Sequence, residues 1–451
     1  FDIGGNNEVG SIAGRIQDST GNTLSNIQIV NTTVSGLNNV GGLIGRIYTA
    51  SVTLSQITTD GQILSTGSAI GGIVGLVGNN LNQYAVTMSQ ITNRMDITGS
   101  DQAGGLIAKV ETGGSITILQ SANYGNISGA SGLFINGFMG GIIGGISNNA
   151  ATIITIKETF NAGNLSLLFN KETTDKFQMG GFIGRAQGTI TIEDSFNTGA
   201  LTYNKASDVT QATIYAGGLV GVQLGGTILI ENSYQVGALN NQFSPAGMQV
   251  TPGALFGSYN ALVTAANVFY SPDIAGHTLP IGHTTNTIGT ASSIIQMTGF
   301  EYHNNAGWSV AKDTTTTWAI GYQGDMTYPW LSWMEAPLAS QRFSVHTISD
   351  REDFSHLNDN LDGNYVLGGD VDLSTGSAID DAFITGVFTG DLDGQGFTVS
   401  GLAINASSKD SIGLFSQVPG ASIKDLTIDN FNVTGRNKSG LIIGEIINLG
   451  I

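Results

Sequence analysis

A short apolar phrase built around a glycine pair recurs along this chain: VGGLIG at 40–45, IGGIVG at 70–75, AGGLIA at 103–108, MGGIIG at 139–144, MGGFIG at 179–184 and AGGLVG at 216–221. Degenerate copies lie at 10–14, 253–257, 412–416 and 440–444. The last positions of the first eight phrases, 14, 45, 75, 108, 144, 184, 221 and 257, are separated by 31, 30, 33, 36, 40, 37 and 36 residues. A period in this range is the mark of a repeat architecture. Between the glycine phrases runs a second one, ITILQSANYG at 116–125, ITIKETFNAG at 154–163, ITIEDSFNTG at 190–199 and ILIENSYQVG at 228–237, in which apolar residues alternate with polar ones. Alternation at period two predicts strands rather than helices. A coil of 30–40 residues with two or three short strands cannot bury its inner face alone, so coils must stack into a common core. The pattern predicts an all-β, parallel β-solenoid. Growth of the spacing is expected to lodge in loops such as 168–175.

Composition sharpens this picture. The 451 residues include 65 glycines and only 11 % charged residues, about twice the usual glycine and under half the usual charge. With 16 basic against 34 acidic residues the chain carries a net charge of −18. That leaves no electropositive face for nucleic acid or an anionic membrane. No apolar run reaches the roughly 18 residues that suggest a membrane span. The absence of cysteine removes disulfides and thiolate chemistry, so stability must come from the hydrogen-bonded ladder and its core. The chain lacks an initiator Met and a signal-peptide pattern at Phe1, and reads as a mature or excised segment. Five scattered histidines form no HExxH-type pair; His277 and His283, in a turn-rich stretch, are expected at the surface and not on a metal. No cofactor and no metal site are expected.

A glycine-rich phrase invites a phosphate-loop reading, but a phosphate loop occurs once, opens a helix and carries a lysine. Here the phrase recurs without one, so its glycines are expected to permit left-handed backbone and close approach at a coil corner. Aligning the second phrases places Ser55, Ser89, Leu119, Lys157, Glu193 and Glu231 in one column, and Gln56, Gln90, Gln120, Glu158, Asp194 and Asn232 in the next. Stacking sets column neighbours about 4.8 Å apart, which gathers Glu158, Glu193, Asp194 and Glu231 into an acidic cluster around Lys157. Carboxylates roughly 5 Å apart suit a retaining glycosidase, and carboxylates across coils suit metal-assisted cleavage of polysaccharide. The cluster lies where a strand gives way to a turn, so a solvated, ion-paired face is the expectation and a carbohydrate-active β-helix enzyme or carbohydrate-binding module the alternative.

A third column, Thr59, Asn93, Asn123, Asn161, Asn197 and Gln235, predicts an amide ladder that satisfies turn backbone and fixes register. Phe160, Phe196 and Tyr234 form the adjoining aromatic column. DVDLS at 370–374 and DLDGQG at 391–396 lack the distal glutamate of a calcium loop and read as turn-capping aspartates. All four tryptophans, Trp308, Trp318, Trp330 and Trp333, fall within 26 residues; they form either a hydrophobic plug or a glycan patch.

The glycine phrases resemble the GLUG-motif repeats of bacterial surface proteins, which occur in filamentous-haemagglutinin-like adhesins and beside the catalytic parts of immunoglobulin-A peptidases. The segments 343–374 and 388–404 resemble that family's opening of a solenoid, and 267–276, 296–310 and 328–333 its close. The resemblance implies a right-handed β-solenoid in an exported, extracellular or cell-surface protein, with the repeats as spacers and adhesive stalks and no catalytic role. The domain organisation expected is solenoid repeats over 1–266, a closing aromatic segment and linker over 267–339, and the start of a second solenoid over 340–451. Closing signature precedes opening signature, so both chain ends fall inside solenoids. The coil phrase at 422–435 also matches that at 23–36. Neither end is capped by charge, which exposes ladder edges at Phe1, Ile3, Val9, Ile12, Leu441, Ile443, Ile446 and Ile451. The expectation is a non-enzymatic structural protein. It is either a self-stacking, head-to-tail filament subunit or the excised stalk of a large adhesin whose partners are adjoining repeats of a longer chain. Host or matrix glycans are a further class of partner.

Overall fold

The structure, a computed structural model, describes residues 1–18, 21–78, 84–99, 102–111, 113–131, 137–147, 151–169, 176–206, 212–242, 248–260, 262–277, 279–282, 288–375 and 379–448. Ile451, His283 and most of the expected loop at 168–175 lie outside the described residues. Two compact units divide the chain, Phe1–Ala291 and Ser292–Ile451.

The first unit is a parallel β-solenoid. Its glycine phrases form an eight-stranded sheet in which Val9, Val40, Ile70, Ala103, Met139, Met179, Ala216 and Pro252 stand in register, one per coil. The steps between them are those of the repeated phrase. The second phrases stack in the other sheet, where Leu54, Met88, Ile118, Ile156, Ile192 and Ile230 form one column. Each of these six is 0 % exposed. Flanking residues on the same strands are part-exposed, as in Ser115–Leu119 and Ile153–Lys157. Period-two alternation therefore aims two apolar side chains of each such strand into a continuous core, as with Ile116 and Ile118 or Ile154 and Ile156.

The glycine pair works by close approach. A Cβ on Gly104, Gly140 or Gly217 would stand 1.9 Å from the carbonyl oxygen of Ile107, Ile143 or Val220 in its own coil. A Cβ on the second glycine of a pair, Gly105 or Gly141, would stand 1.9 or 2.1 Å from the next coil's glycine oxygen. These glycines are absent from the left-handed region, which corrects the expectation of positive φ at the phrase. Positive φ falls instead at non-glycine residues: Gln56, Gln90, Gln120, Glu158, Asp194, Asn232 and Asn267 lie between 44° and 56°. One polar residue per coil takes this conformation, which Asn and Asp adopt more readily than other side chains with a Cβ.

The second unit opens with two short helices. Ser293 caps Ile294–Met297 through a capping box with Gln296. Residues from 343 onward then wind a smaller parallel solenoid: His346–Ile348, Asn364–Leu367, Asp391–Asp393 and Ile423–Lys424 form one of its sheets. Its core holds Phe354, Phe388 and Phe415, each 0 % exposed, with the Phe388 and Phe415 rings 4.8 Å apart. The aromatic stretch expected over 267–339 is shared between the units. Leu262–Tyr270 continues the first ladder beside Val220–Gln235, and Thr290–Ala291 pairs with Phe269 and Tyr270. Ile295 joins the core of the second unit.

Gly141→Ala, whose new Cβ would meet backbone oxygen and the buried Asn161 amide, is expected to cost roughly 3 kcal/mol. Gly225→Ala, with nothing nearer than 3.5 Å, is expected to stay within about 0.5 kcal/mol in denaturant titration.

Candidate functional site: the polar corner of the solenoid

Each second phrase ends in the same five-residue corner, read here on Glu193, Asp194, Ser195, Phe196 and Asn197. The strand ends at Glu193, and Asp194 turns left-handed. Ser195 then donates its hydroxyl to Glu193 O at 2.7 Å and accepts the Thr159 amide of the preceding coil at 3.2 Å. Ser121 and Ser233 repeat this arrangement. The hydroxyl thus supplies the ladder bond that the corner would otherwise break.

Next comes the aromatic column. Phe160 and Phe196 lie 4.8 Å apart and 4° from parallel, Phe196 and Tyr234 5.1 Å and 2°. All three are 0 % exposed, so they are core packing rather than a platform for ligand.

Beside them runs the amide ladder. Thr59 Oγ1 donates to Asn93 Oδ1 at 2.9 Å; Asn93, Asn123 and Asn161 each donate Nδ2 to the next Oδ1 at 2.7, 2.7 and 2.8 Å; and Asn197 Nδ2 donates to Gln235 Oε1 at 2.5 Å. Asn123, Asn161 and Asn197 also donate to the carbonyl two residues on, at 2.9 to 3.0 Å. Every member is 0 % exposed. The second glycine of the phrase makes room for it: at Gly72, Gly105, Gly141, Gly181 and Gly218 a Cβ would stand 2.4 to 2.6 Å from the amide side chain. In the following coil Tyr270 occupies the amide register position, and Ala254 replaces that glycine.

His277 ends the ladder. Its Nε2 lies 3.3 Å from Gln235 Nε2 and 2.9 Å from Gly237 O, and its Nδ1 2.8 Å from Ser271 O. At 1 % exposed it is not a surface residue, which corrects the expectation from its turn-rich surroundings. Burial holds its pKa below the ordinary histidine value.

The residues of the predicted acidic cluster fall on successive coils. Lys157, Glu193 and Glu231 are successive register partners. Lys157 Nζ lies 2.7 Å from Glu193 Oε1 and 3.6 Å from Asp194 Oδ2, and its hydrogen bond to Glu193 raises the lysine pKa. Glu158 accepts from Gln120 Nε2 at 2.8 Å. Glu158 and Asp194 occupy the left-handed corner that other coils fill with Gln or Asn. Their position therefore has a backbone explanation shared by neutral residues. Among the described residues no three His, Asp or Glu side chains are grouped to hold a metal ion.

In the second unit Asp372 and Asp393 accept the amides of Ser374 and Gln395 at 2.8 and 2.9 Å. Those backbone bonds lower both carboxylate pKa values, as turn-capping aspartates require. Trp308, Trp318 and Trp330 are 3 %, 0 % and 4 % exposed, and Trp308 packs 4.8 Å from Trp318 and 4.7 Å from His303. Their faces are occupied by packing, and Trp333 alone of the four is half-buried. Of the proposed ladder edges, Phe1, Ile12, Leu441 and Ile446 are exposed and Ile3 and Ile443 half-buried, while Val9 is buried at 6 %.

No family model matches the chain, and no solved structure matches it. An alignment 117 positions long, which covers 23 % of the chain, is 29 % identical to Halomucin of Haloquadratum walsbyi (strain DSM 16790 / HBSQ001). The chain spans about 1 % of the length of that relative.

Asn161→Leu strands the Asn123 donor and the Asn197 acceptor in the core, and is expected to destabilise the first unit by about 3 kcal/mol. Asn161→Gln, the amide already used in this column at Gln235, is expected to retain most of the stability in the same chemical denaturation. Burial pushes the pKa values of His303 and His346 down to about 4. An unfolded chain takes up these protons below roughly pH 6.5, while the folded unit holds both rings neutral until pH 4. Stability of the second unit is therefore expected to fall as pH drops through that window and to be insensitive to these groups above it. Thermal melts of the wild type and of His303→Gln, whose slope is expected to be shallower, check this.

Proposed function

We propose that this chain is a structural, non-enzymatic section of an extracellular surface protein, a load-bearing repeat segment of the kind found in adhesin stalks. The observation that carries the reading is the ladder at the corner. The polar side chains that a β-helix enzyme would present to substrate are here committed, coil after coil, to hydrogen-bonding the next coil. Glu193 and Asp194 face Lys157, Glu158 faces Gln120, and the amide column is sealed in the core. The similarity of part of the chain to halomucin, a surface protein, supports the location. No helix of the described residues is long and apolar enough to cross a membrane.

Two assays test the reading. Intact cells probed with antibody against 1–451 are expected to label without permeabilisation. A panel of neutral and uronate polysaccharides is expected to show no turnover by the chain or by the Glu158→Gln, Glu193→Gln, Asp194→Asn, Glu231→Gln variant. Turnover by the parent that the fourfold variant abolishes would replace this reading with a carbohydrate-active enzyme.

A further inference from the structure

Within the second unit, residues between Thr298 and Asp362 enclose a cleft of about 300 Å³, at the low end of the sizes that take small molecules. One rim is a hairpin. Tyr322 and Asp325 exchange both backbone hydrogen bonds, at 3.0 and 2.9 Å, around a two-residue turn in which Gln323 and Gly324 are left-handed, at φ 52° and 88°. Two positive φ angles make this a type I′ turn, whose first central position usually goes to Asn, Asp or Gly. Gln323 departs from that preference, and its exposed side chain lines the cleft. The turn stands clear of the rest of the unit, since a Cβ on Gly324 would meet nothing within 4 Å.

The charges at the cleft cancel. Lys312, Asp325 and Asp362 line it; Lys312 Nζ donates to Asp362 Oδ2 at 2.7 Å, and Arg342 donates Nε and Nη2 to Asp325 Oδ2 at 2.9 and 2.5 Å. Each pair engages a single carboxylate oxygen. Among the described residues, Oδ1 of Asp325 and Oδ1 of Asp362 therefore accept no hydrogen bond, and Lys312 has used one of its three ammonium donors. Apolar surface lies alongside these groups. The Phe300 ring sits 5.1 Å from Lys312 Nζ, and Ile320 and Met326 are buried in the lining.

We propose that this cleft binds a neutral sugar residue of a glycan. The proposal goes beyond the load-bearing reading of the coils and does not depend on it. An ion of either sign finds no net attraction where the charges of Lys312 and Arg342 offset those of Asp325 and Asp362. A wholly apolar molecule would cover the open carboxylate oxygens and ammonium protons without pairing them. A pyranose ring meets both requirements. Its vicinal hydroxyls donate to the Oδ1 atoms of Asp325 and Asp362 and accept from Lys312 Nζ or the Gln323 amide, while its C–H surface covers the apolar side chains. Hydrogen bonds to these charged groups are the stronger kind. None of the four tryptophans lines the cleft, so the site is separate from the glycan patch that their clustering in the sequence suggests.

Isothermal titration and saturation-transfer NMR of 1–451 with cellobiose, lactose, mannobiose and diacetylchitobiose, and with glucuronate and glucosamine as charged counterparts, test this. At least one neutral disaccharide is expected to bind with a Kd of about 1 mM or tighter, ahead of both charged sugars. Asp362→Asn is expected to weaken that binding about tenfold, because an amide replaces the charged acceptor. Gln323→Gly is expected to weaken it about threefold while leaving the melting temperature unchanged or raised, since glycine adopts the left-handed turn without strain. A purely structural Gln323 would instead move stability and leave affinity alone. Thermal melts establish that both variants are folded. Absence of binding by every neutral disaccharide would overturn the proposal, as would affinity unchanged in both folded variants or a preference for a charged sugar.

Discussion

Everything in this molecule depends on coils lying in register on one another. A coil with one or two apolar residues per strand has no interior of its own. It acquires one only when the next coil places the same residue type at the same height. The consequence is a hierarchy of columns: branched aliphatics in the core, parallel aromatic rings at the corner, and beside them a buried amide ladder that tolerates no shift. Aliphatic columns alone would accept a slip along the strand at modest cost. The amide ladder does not, because a slip would leave several donors and acceptors unpaired where water cannot reach. Register is therefore held by the most polar column in the core.

Much of this was legible in the sequence because stacking makes one coil's chemistry repeat in the next. The spacing of the glycine phrases located the coils, the Asn column announced itself as a ladder, and Phe160, Phe196 and Tyr234 could be read as a stack. What escaped was whatever the repeat does not spell. The left-handed corner accepts Gln, Glu, Asp and Asn alike, so its backbone conformation has no single-letter signature. The acidic residues there looked like a site partly because the shared conformation was invisible. His277 was misplaced because it ends the amide ladder from a turn where the repeat has broken down. Of the two reasons the sequence offers for the glycine pair, close approach holds and left-handed backbone does not: contact distance excludes a side chain there, and φ does not require its absence.

This also orders the functional evidence. Glu158, Glu193, Asp194 and Glu231 fall on successive coils, yet three of them have structural partners and two sit at positions that neutral residues fill elsewhere. The tryptophans cluster in sequence, and three of the four bury in space. The polar groups of the corner hold one coil to the next.

The central claim is that adjacent coils are coupled through the buried amides. A double-mutant cycle on Asn123→Val and Asn161→Val, with Asn93→Val and Asn197→Val as the separated pair, measures this most directly. The account predicts a coupling of about 1–3 kcal/mol for the neighbours and within about 0.5 kcal/mol of zero for the separated pair. Additive costs at the neighbouring pair would contradict it, and register would then have to be held by the aliphatic core alone.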